Sequence, residues 1–324
     1  MEPTKVAVVG VGMMGEQHAA AYARNSLARL EAVVDLKEEL AHRVAERFGA
    51  QAFTDTHEML QTADVEAVSV CTNDERHVEP ALACFEAGRH VLLEKPIATT
   101  LDDADKIILG AERAGGRLLV GHIVRFDARY AQVKARLDRG DLGELEAAFA
   151  RRLNNIGSQD VLRGRVSVLS FLGVHDFDYL LWLSGSRPVR VHTESVARVH
   201  KAAGYPVEDH TFTLIRFASG AIACVEVGWV LPDVHPRRAD IKLEVIGTRG
   251  MAQVDLVPNE LAFCTERGWE VAPVGHAIDA EVGHFLDCVR KGQQPLVTGQ
   301  EAREALRLSL AAQESAETGR IVEL

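Results

Sequence analysis

The run Val6-Ala7-Val8-Val9 passes directly into Gly10-Val11-Gly12-Met13-Met14-Gly15, and this junction constrains the fold more than any other stretch. Four apolar residues ending at a glycine suit a short strand buried on both faces. Met14, His18, Ala21, Tyr22 and Asn25 then recur at helical spacing, so the glycines fall where a strand turns into a helix. In such a G-x-G-x-x-G turn the first glycine permits the tight turn. The second lets a pyrophosphate approach the backbone, and the third lets the helix pack closely on the strand. The helix N-terminus adds free N–H groups and a positive dipole facing the phosphates. Alone the motif is weak, since glycine-rich turns are common; the residues after it decide its meaning.

Strand and helix patterns alternate from there. Leu30 to Val34 reads as a second strand, and Leu40, Ala41, Val44, Ala45 and Phe48 form one helical stripe closed by Gly49. Val65 to Cys71, His90 to Leu93 and Leu118 to Val120 are further strands, with a helix at Pro80 to Ala87 closed by Gly88. Another helix starts near Leu101, where Thr100 and Asp103 are spaced as a capping box. Repetition of this kind predicts an α/β, doubly wound parallel sheet with right-handed crossovers. Asp35 ends the second strand 20 residues beyond Gly15. An acidic side chain there bonds the adenosine ribose hydroxyls and repels a 2′-phosphate, which favours NAD over NADP. The competing reading makes Asp35 a solvated turn residue before Leu36-Lys37-Glu38.

The grammar changes near residue 122. Helices around Ala128 to Leu137 and Val174 to Leu183 give way to Val189 to Val199, His210 to Phe217, Ala221 to Trp229, Ile241 to Ile246 and Met251 to Asp255, all of β-type composition. Arg216 to Ala221 looks like a hairpin turn. Strands in series without intervening helices predict a mostly antiparallel sheet. Helices at Ile278 to Val289 and Glu301 to Thr318 come last. The expected division is a dinucleotide-binding domain over 1–122 and an α+β substrate and oligomerisation domain over 123–324, with the terminal helix free to pack on either.

Composition narrows the function classes. The chain has 324 residues, 47% of them apolar, enough for two cores. No apolar run approaches the ~20 residues that a membrane helix needs. Lys5 introduces only a short strand, unlike a signal peptide, so the cytoplasm is the expected location. With 36 Lys and Arg against 47 Asp and Glu, the formal net charge of −11 argues against nucleic acid or an anionic membrane as partner. The five cysteines are scattered without a C-x-x-C pair, which points to reduced thiols. His200, His210 and His235 do not combine with carboxylates at ligand spacing, and His276 and His284 look structural, so no metal is expected.

A lysine in a turn is ordinarily a solvated charge. Glu94-Lys95-Pro96 nevertheless sits at the carboxyl end of a predicted strand, where ligands of open α/β sheets bind. Together with the glycine turn and Gly173-Val174-His175-Asp176-Phe177-Asp178, in this order and spacing, it resembles the Gfo/Idh/MocA family of oxidoreductases. Cys71-Thr72-Asn73 with His77, and Gly121-His122 with Arg125-Phe126, are similar to further stretches of that family. So are Gly140-Asp141-Leu142-Gly143-Glu144 and Glu314-Ser315-Ala316-Glu317-Thr318-Gly319. The resemblance implies a Rossmann domain, a second domain with a large open sheet used for homodimer or homotetramer formation, and a small-molecule substrate beside the nicotinamide between them. It implies cofactor contacts from Gly10, Gly12, Met13, Met14, Gly15, Asp35, Cys71, Thr72, Asn73, His77, Glu94, Lys95 and Arg125.

Oxidising a secondary alcohol of a sugar or inositol needs a hydride transfer to nicotinamide and a base for the hydroxyl proton. Histidine suits the base, having an ordinary pKa of ~6.5, and lysine can stabilise developing oxyanion charge. By the resemblance these are His175 and Lys95; His122, Arg152, Asn154, Arg165, Phe171 and Asp178 are the candidates around the substrate, Asp178 by its helical spacing from His175 and the others by their place in the chain. An arginine-rich stretch also containing Asn155 and Arg163 could bind a carboxylate or phosphate, although an ordinary surface charge is the stronger reading for any single arginine. Asp176 and Asp178 equally suit a helix start. The family carries an aspartate four residues before the histidine, where this chain has Phe171, so the usual inositol or glucose activity is in doubt. That departure supports a second reading, a nucleotide-responsive binding or regulatory protein without chemistry; Lys95 and His175 oppose it.

Overall fold

A computed structural model describes residues 2–157, 164–235, 238–255, 260–265, 268–271 and 276–324. Arg163 lies outside them. The chain divides into two compact units, Met1–Phe126 with His276–Leu306, and Asp127–Gly275 with Arg307–Leu324. Residues 276–300, expected in the second domain, therefore belong with the first unit, as does the start of the terminal helix up to Leu306.

The first unit holds strands β1 (Thr4–Val9), β2 (Ala28–Val34), β3 (Gln51–Phe53), β4 (Ala67–Val70), β5 (His90–Glu94) and β6 (Leu118–Gly121) in one sheet, in the order β3-β2-β1-β4-β5-β6. The pairings are parallel throughout. The crossovers are α1 (Met13–Arg24), α2 (Glu38–Phe48), α3 (Thr56–Thr62), α4 (Val78–Glu86) and α5 (Leu101–Ala114). Helices on the faces exclude water from the sheet, so Val6, Ala7, Val8, Val68, Leu92 and Leu93 are fully buried. Gly49 closes α2 in the left-handed conformation with φ 71°. Thr100 accepts from the Asp103 N–H at 3.1 Å and opens α5 as a capping box. The short β3 and α3 carry too few apolar residues to announce themselves in the sequence.

Register places the site. Val9 pairs with both Val34 and Val70, and Val70 pairs with Leu93. The next residues along these strands, Gly10, Asp35, Cys71 and Glu94, therefore form one row at the carboxyl edge of the sheet. Strand order reverses between β1 and β4, the position where open α/β sheets leave a crevice.

The second unit contains α6 (Ala128–Asp138), α7 (Val174–Ser184), the one-turn α8 (Val199–Ala202) and a sheet in the order β14-β13-β12-β11-β7-β10-β9-β8-β15. Its strands are β7 (Leu145–Asn155), β8 (Pro188–Val196), β9 (His210–Phe217), β10 (Ile222–Leu231), β11 (Ala239–Gly247), β12 (Gly250–Asp255), β13 (Glu260–Thr265), β14 (Gly268–Val271) and β15 (Val322–Glu323). Within this sheet only β7 and β10 pair in parallel among the described residues. The sheet is mostly antiparallel as expected, and larger, because β7, β13, β14 and β15 join the five strands read from composition. Gly220, at φ 97°, makes the hairpin turn between β9 and β10. One face of the sheet is buried by Thr211, Thr213, Ile215 and Phe217 of β9, while Phe212 and Leu214 are exposed on the other. The chain closes with α9 (Ala277–Lys291) in the first unit and α10 (Gly299–Thr318), whose residues divide between the two at 306.

Candidate active site

At the carboxyl edge of the first sheet the glycines are fixed by their neighbours. Gly10 has φ 81°, and a Cβ there would lie 2.8 Å from the Thr72 nitrogen. Around Gly12 a Cβ would meet nothing within 4 Å. The backbone there faces open space, as a pyrophosphate requires. The Asp35 carboxylate accepts from Val11 N at 3.0 Å and Lys37 N at 2.9 Å, which locks it beside the glycine turn. A cavity of about 1040 Å³ opens here, with Gly10, Gly12, Asp35, Cys71, Thr72 and Asn73 in its lining. That is ample for a dinucleotide, since ligand cavities run roughly 300–1,000 Å³. Met13 is exposed, and Met14 receives a long contact from Gln17 at 3.7 Å.

The turn after β5 is held from several sides. The imidazole of His77 is buried and spans the Thr72 and Pro96 carbonyls at 3.1 and 2.9 Å, tying the loop after β4 to the peptide just beyond Lys95. Burial holds its pKa below the ordinary imidazole range, although both carbonyls oppose that shift. Lys95 is half-buried. Its N–H donates to Glu94 at 3.1 Å, and Glu94 also bonds His18 Nε2 at 3.1 Å. Glu94 thus faces the interior of the unit. His122 is fully buried. Arg125, 2% exposed, donates to Glu301 at 2.8 Å and to the Leu296 carbonyl at 3.3 Å. Its guanidinium therefore anchors α10 to the end of β6.

In the second unit His175 opens α7, half-buried, directly after a π-helical turn at Leu169–Gly173. Such turns are frequent at functional sites. Gly173 packs closely here: a Cβ there would sit 3.1 Å from the Phe177 ring, which would have to shift to admit it. Phe171 lies on the π-helical turn with its ring 6.0 Å from that of Trp229. Arg152 makes a bidentate pair with Asp176 at 2.7 and 2.8 Å, both groups buried. Arg152 therefore braces the residue next to His175. Asp178 is fully buried, Asn154 pairs with Trp229 along β7 and β10, and Arg165 is half-buried. Asn155 donates to Asp233 at 2.7 Å.

A group that the sequence did not single out as functional lies beside Glu94. His18 Nδ1 is 3.1 Å from Ser69 Oγ, and Tyr22 OH is 2.8 Å from the same oxygen. Glu281 of α9 completes the cluster. Its one sequence signal is an acidic residue on the apolar face that Phe285 and Cys288 continue.

The glycine turn, the open Gly12 backbone and Asp35 beside a dinucleotide-sized cavity define a nucleotide-dependent oxidoreductase fold. Comparison with known proteins agrees. Residues 4–122 match the family model described as "Oxidoreductase family, NAD-binding Rossmann fold", and residues 130–253 match the GFO/IDH/MocA C-terminal domain. The chain is 27% identical to a myo-inositol 2-dehydrogenase of Thermotoga maritima, covering 99% of this chain and 98% of that protein. It is 32% identical to inositol 2-dehydrogenase 2 of Saccharopolyspora erythraea, over 90% and 84% of the two chains. Its fold matches a UDP-N-acetylglucosamine 3-dehydrogenase of Acidithiobacillus ferrooxidans with a TM-score of 0.86 at 27% identity, covering 98% and 99%. The chain belongs to the GFO/IDH/MocA oxidoreductase family. It is an NAD-binding enzyme that acts on CH–OH groups, which favours chemistry over the reading as a binding module.

Proposed function

We propose that the enzyme oxidises a secondary hydroxyl of a cyclic polyol or sugar with NAD in preference to NADP. The observation that carries this reading is Asp35, held by two backbone N–H groups at the rim of the cavity. The same lining carries Asp55, Glu75, Glu79 and Glu86 against Lys37 and Arg76, a field that disfavours an added phosphate. When bound, the nicotinamide supplies the hydride acceptor. As the substrate C–H bond gives up its hydride, the hydroxyl proton passes to the imidazole of His175 and the carbon–oxygen bond becomes a ketone. The Lys95 ammonium orients the oxygen and stabilises its developing charge. Phe171, only part-buried, replaces the polar side chain that the family places before the histidine and supports a substrate presenting an apolar ring face; the buried Trp229 packs behind it.

A panel of cyclitols, hexoses and nucleotide sugars, followed by NADH absorbance, tests the substrate class. Lys95→Met is expected to abolish turnover while NADH still binds. Unchanged turnover in that variant removes Lys95 from the mechanism.

The exposed sheet face carries Phe212, Leu214, Ile222 and Ile246 around an apolar groove of about 500 Å³. This supports self-association as a dimer or tetramer through the sheet. Sedimentation of Leu214→Glu against the parent protein measures it. Among the described residues no helix is long and apolar enough to cross a membrane. With the acidic charge, that supports a cytoplasmic enzyme with a small-molecule partner.

A further inference from the structure

The cluster around Glu94, the residue before Lys95, contains more acid than its hydrogen bonds explain. Glu281 is 0% exposed, and among the described residues neither of its carboxylate oxygens has a hydrogen-bond partner. One ligand-type atom each from Glu281, Glu94 and His18 lie within 4.8 Å of one another. The other titratable groups near the pair are Tyr22 and Cys71, with Lys95 and the buried His77 near Glu94. Two carboxylates in a dry site cannot both stay ionised, because desolvation and mutual repulsion both favour one retained proton.

The hydrogen bonds decide which carboxyl keeps the proton. Glu94 receives the Lys95 N–H and His18 Nε2, and the Lys95 side-chain charge favours its anion. Glu281 receives nothing. We propose that Glu281 is a neutral carboxylic acid whose O–H donates to Glu94, and that through this bond it is a positioning residue for Lys95. The donated proton stays on Glu281; it supplies a third hydrogen bond to the Glu94 carboxylate, fixing the anion against which Lys95 is set. The pKa directions agree: burial and the Glu94 charge raise Glu281 well above the carboxylate range. Burial also opposes ionisation of Glu94, but His18 and Lys95 outweigh it and bring its pKa below that range.

The positioning part rests on the catalytic reading of Lys95; the protonation part does not. Infrared difference spectra of the purified enzyme at pH 7 are expected to show a protonated-carboxyl carbonyl band, sensitive to D2O, that disappears in Glu281→Gln. Absence of the band, or its persistence in that variant, overturns the proposal whatever Lys95 does. So does a stoichiometric divalent cation in the purified enzyme that is lost from Glu281→Gln. With myo-inositol and NAD as the assay, Glu281→Gln keeps a donor and is expected within about twofold of the parent kcat, whereas Glu281→Leu falls about tenfold with NADH affinity unchanged. Equal impairment of the two variants overturns the positioning role. If Glu281→Leu does not fold, a large kcat loss in Glu281→Gln does so instead. If neither the parent nor any variant turns over myo-inositol, the functional reading fails at that substrate and the infrared result still stands.

Discussion

A Cβ on Gly15 would lie 1.9 Å from the carbonyl oxygen of Gly10, so the first and third glycines of the turn are in backbone contact. Nothing in that contact can move without opening the junction of β1 and α1. A Cβ on Gly12, between them, would meet nothing within 4 Å among the described residues. The same motif therefore contains two glycines required by the fold and one required only by a ligand.

Gly15→Ala is accordingly expected to destabilise the protein by more than about 2 kcal/mol, through forced displacement of backbone. Gly12→Ala is expected to cost less than about 1 kcal/mol of stability, since it changes only a helix-cap position. It is nonetheless expected to weaken NADH binding roughly tenfold or more, because the methyl group fills the approach to the phosphates. Thermal unfolding and fluorescence titration of both variants separate the two roles.

Asp35→Asn keeps the shape that accepts the Val11 and Lys37 N–H groups and removes the charge. A hydrogen bond to a charged group is worth about 1.5–3 kcal/mol. The ratio of kcat/KM for NAD over NADP is expected to fall by roughly ten- to a hundredfold, with NADP gaining as repulsion is lifted. An unchanged ratio in steady-state assays of the two cofactors would make Asp35 a turn residue only.

The Arg152–Asp176 pair is bidentate, with side-chain exposures of 9% and 3%. Removing one partner leaves a buried charge unpaired, so Arg152→Ala and Asp176→Ala are each expected to cost about 3–5 kcal/mol. The double variant should lose much less than the sum of the two, as a double-mutant cycle of denaturant midpoints measures. If Arg152 served substrate alone, its removal would raise KM and leave stability intact.

The nucleotide half of the site was legible because its constraints are local. Gly10, Gly12, Gly15 and Asp35 are separated by fixed loop and strand lengths, and Glu94-Lys95 ends an unmistakable buried strand. Arg152 and Asp176 were legible as polar residues near His175, but their pairing depends on β7, whose alternation Ala148, Ala150, Arg152 is interrupted by the charge itself. Glu281 and Glu94 are 187 positions apart in the sequence, and no period or motif links them. Their meeting is set by the return of α9 to the first unit, a tertiary fact that pattern reading cannot reach.

That meeting also predicts how stability responds to pH. The folded pKa of Glu281 is raised well above its ordinary value of 4.5. Between those two values the folded enzyme holds a proton that the unfolded chain has released, so this group lowers stability as pH rises through the window, by up to about 1.4 kcal/mol per unit. Above the folded pKa the penalty stops growing. Glu94 contributes in the opposite sense: its depressed folded pKa adds stability above the ordinary value, lost as pH falls through the folded one. Gln at 281 cannot titrate. The stability of Glu281→Gln relative to the parent is therefore expected to climb from about pH 4.5 upward, while groups unaffected by the substitution cancel in the difference. Paired denaturant titrations from pH 5 to pH 8 measure the slope. A difference that stays flat across that range would place an ionised Glu281 in the folded protein and contradict its assignment as the neutral acid.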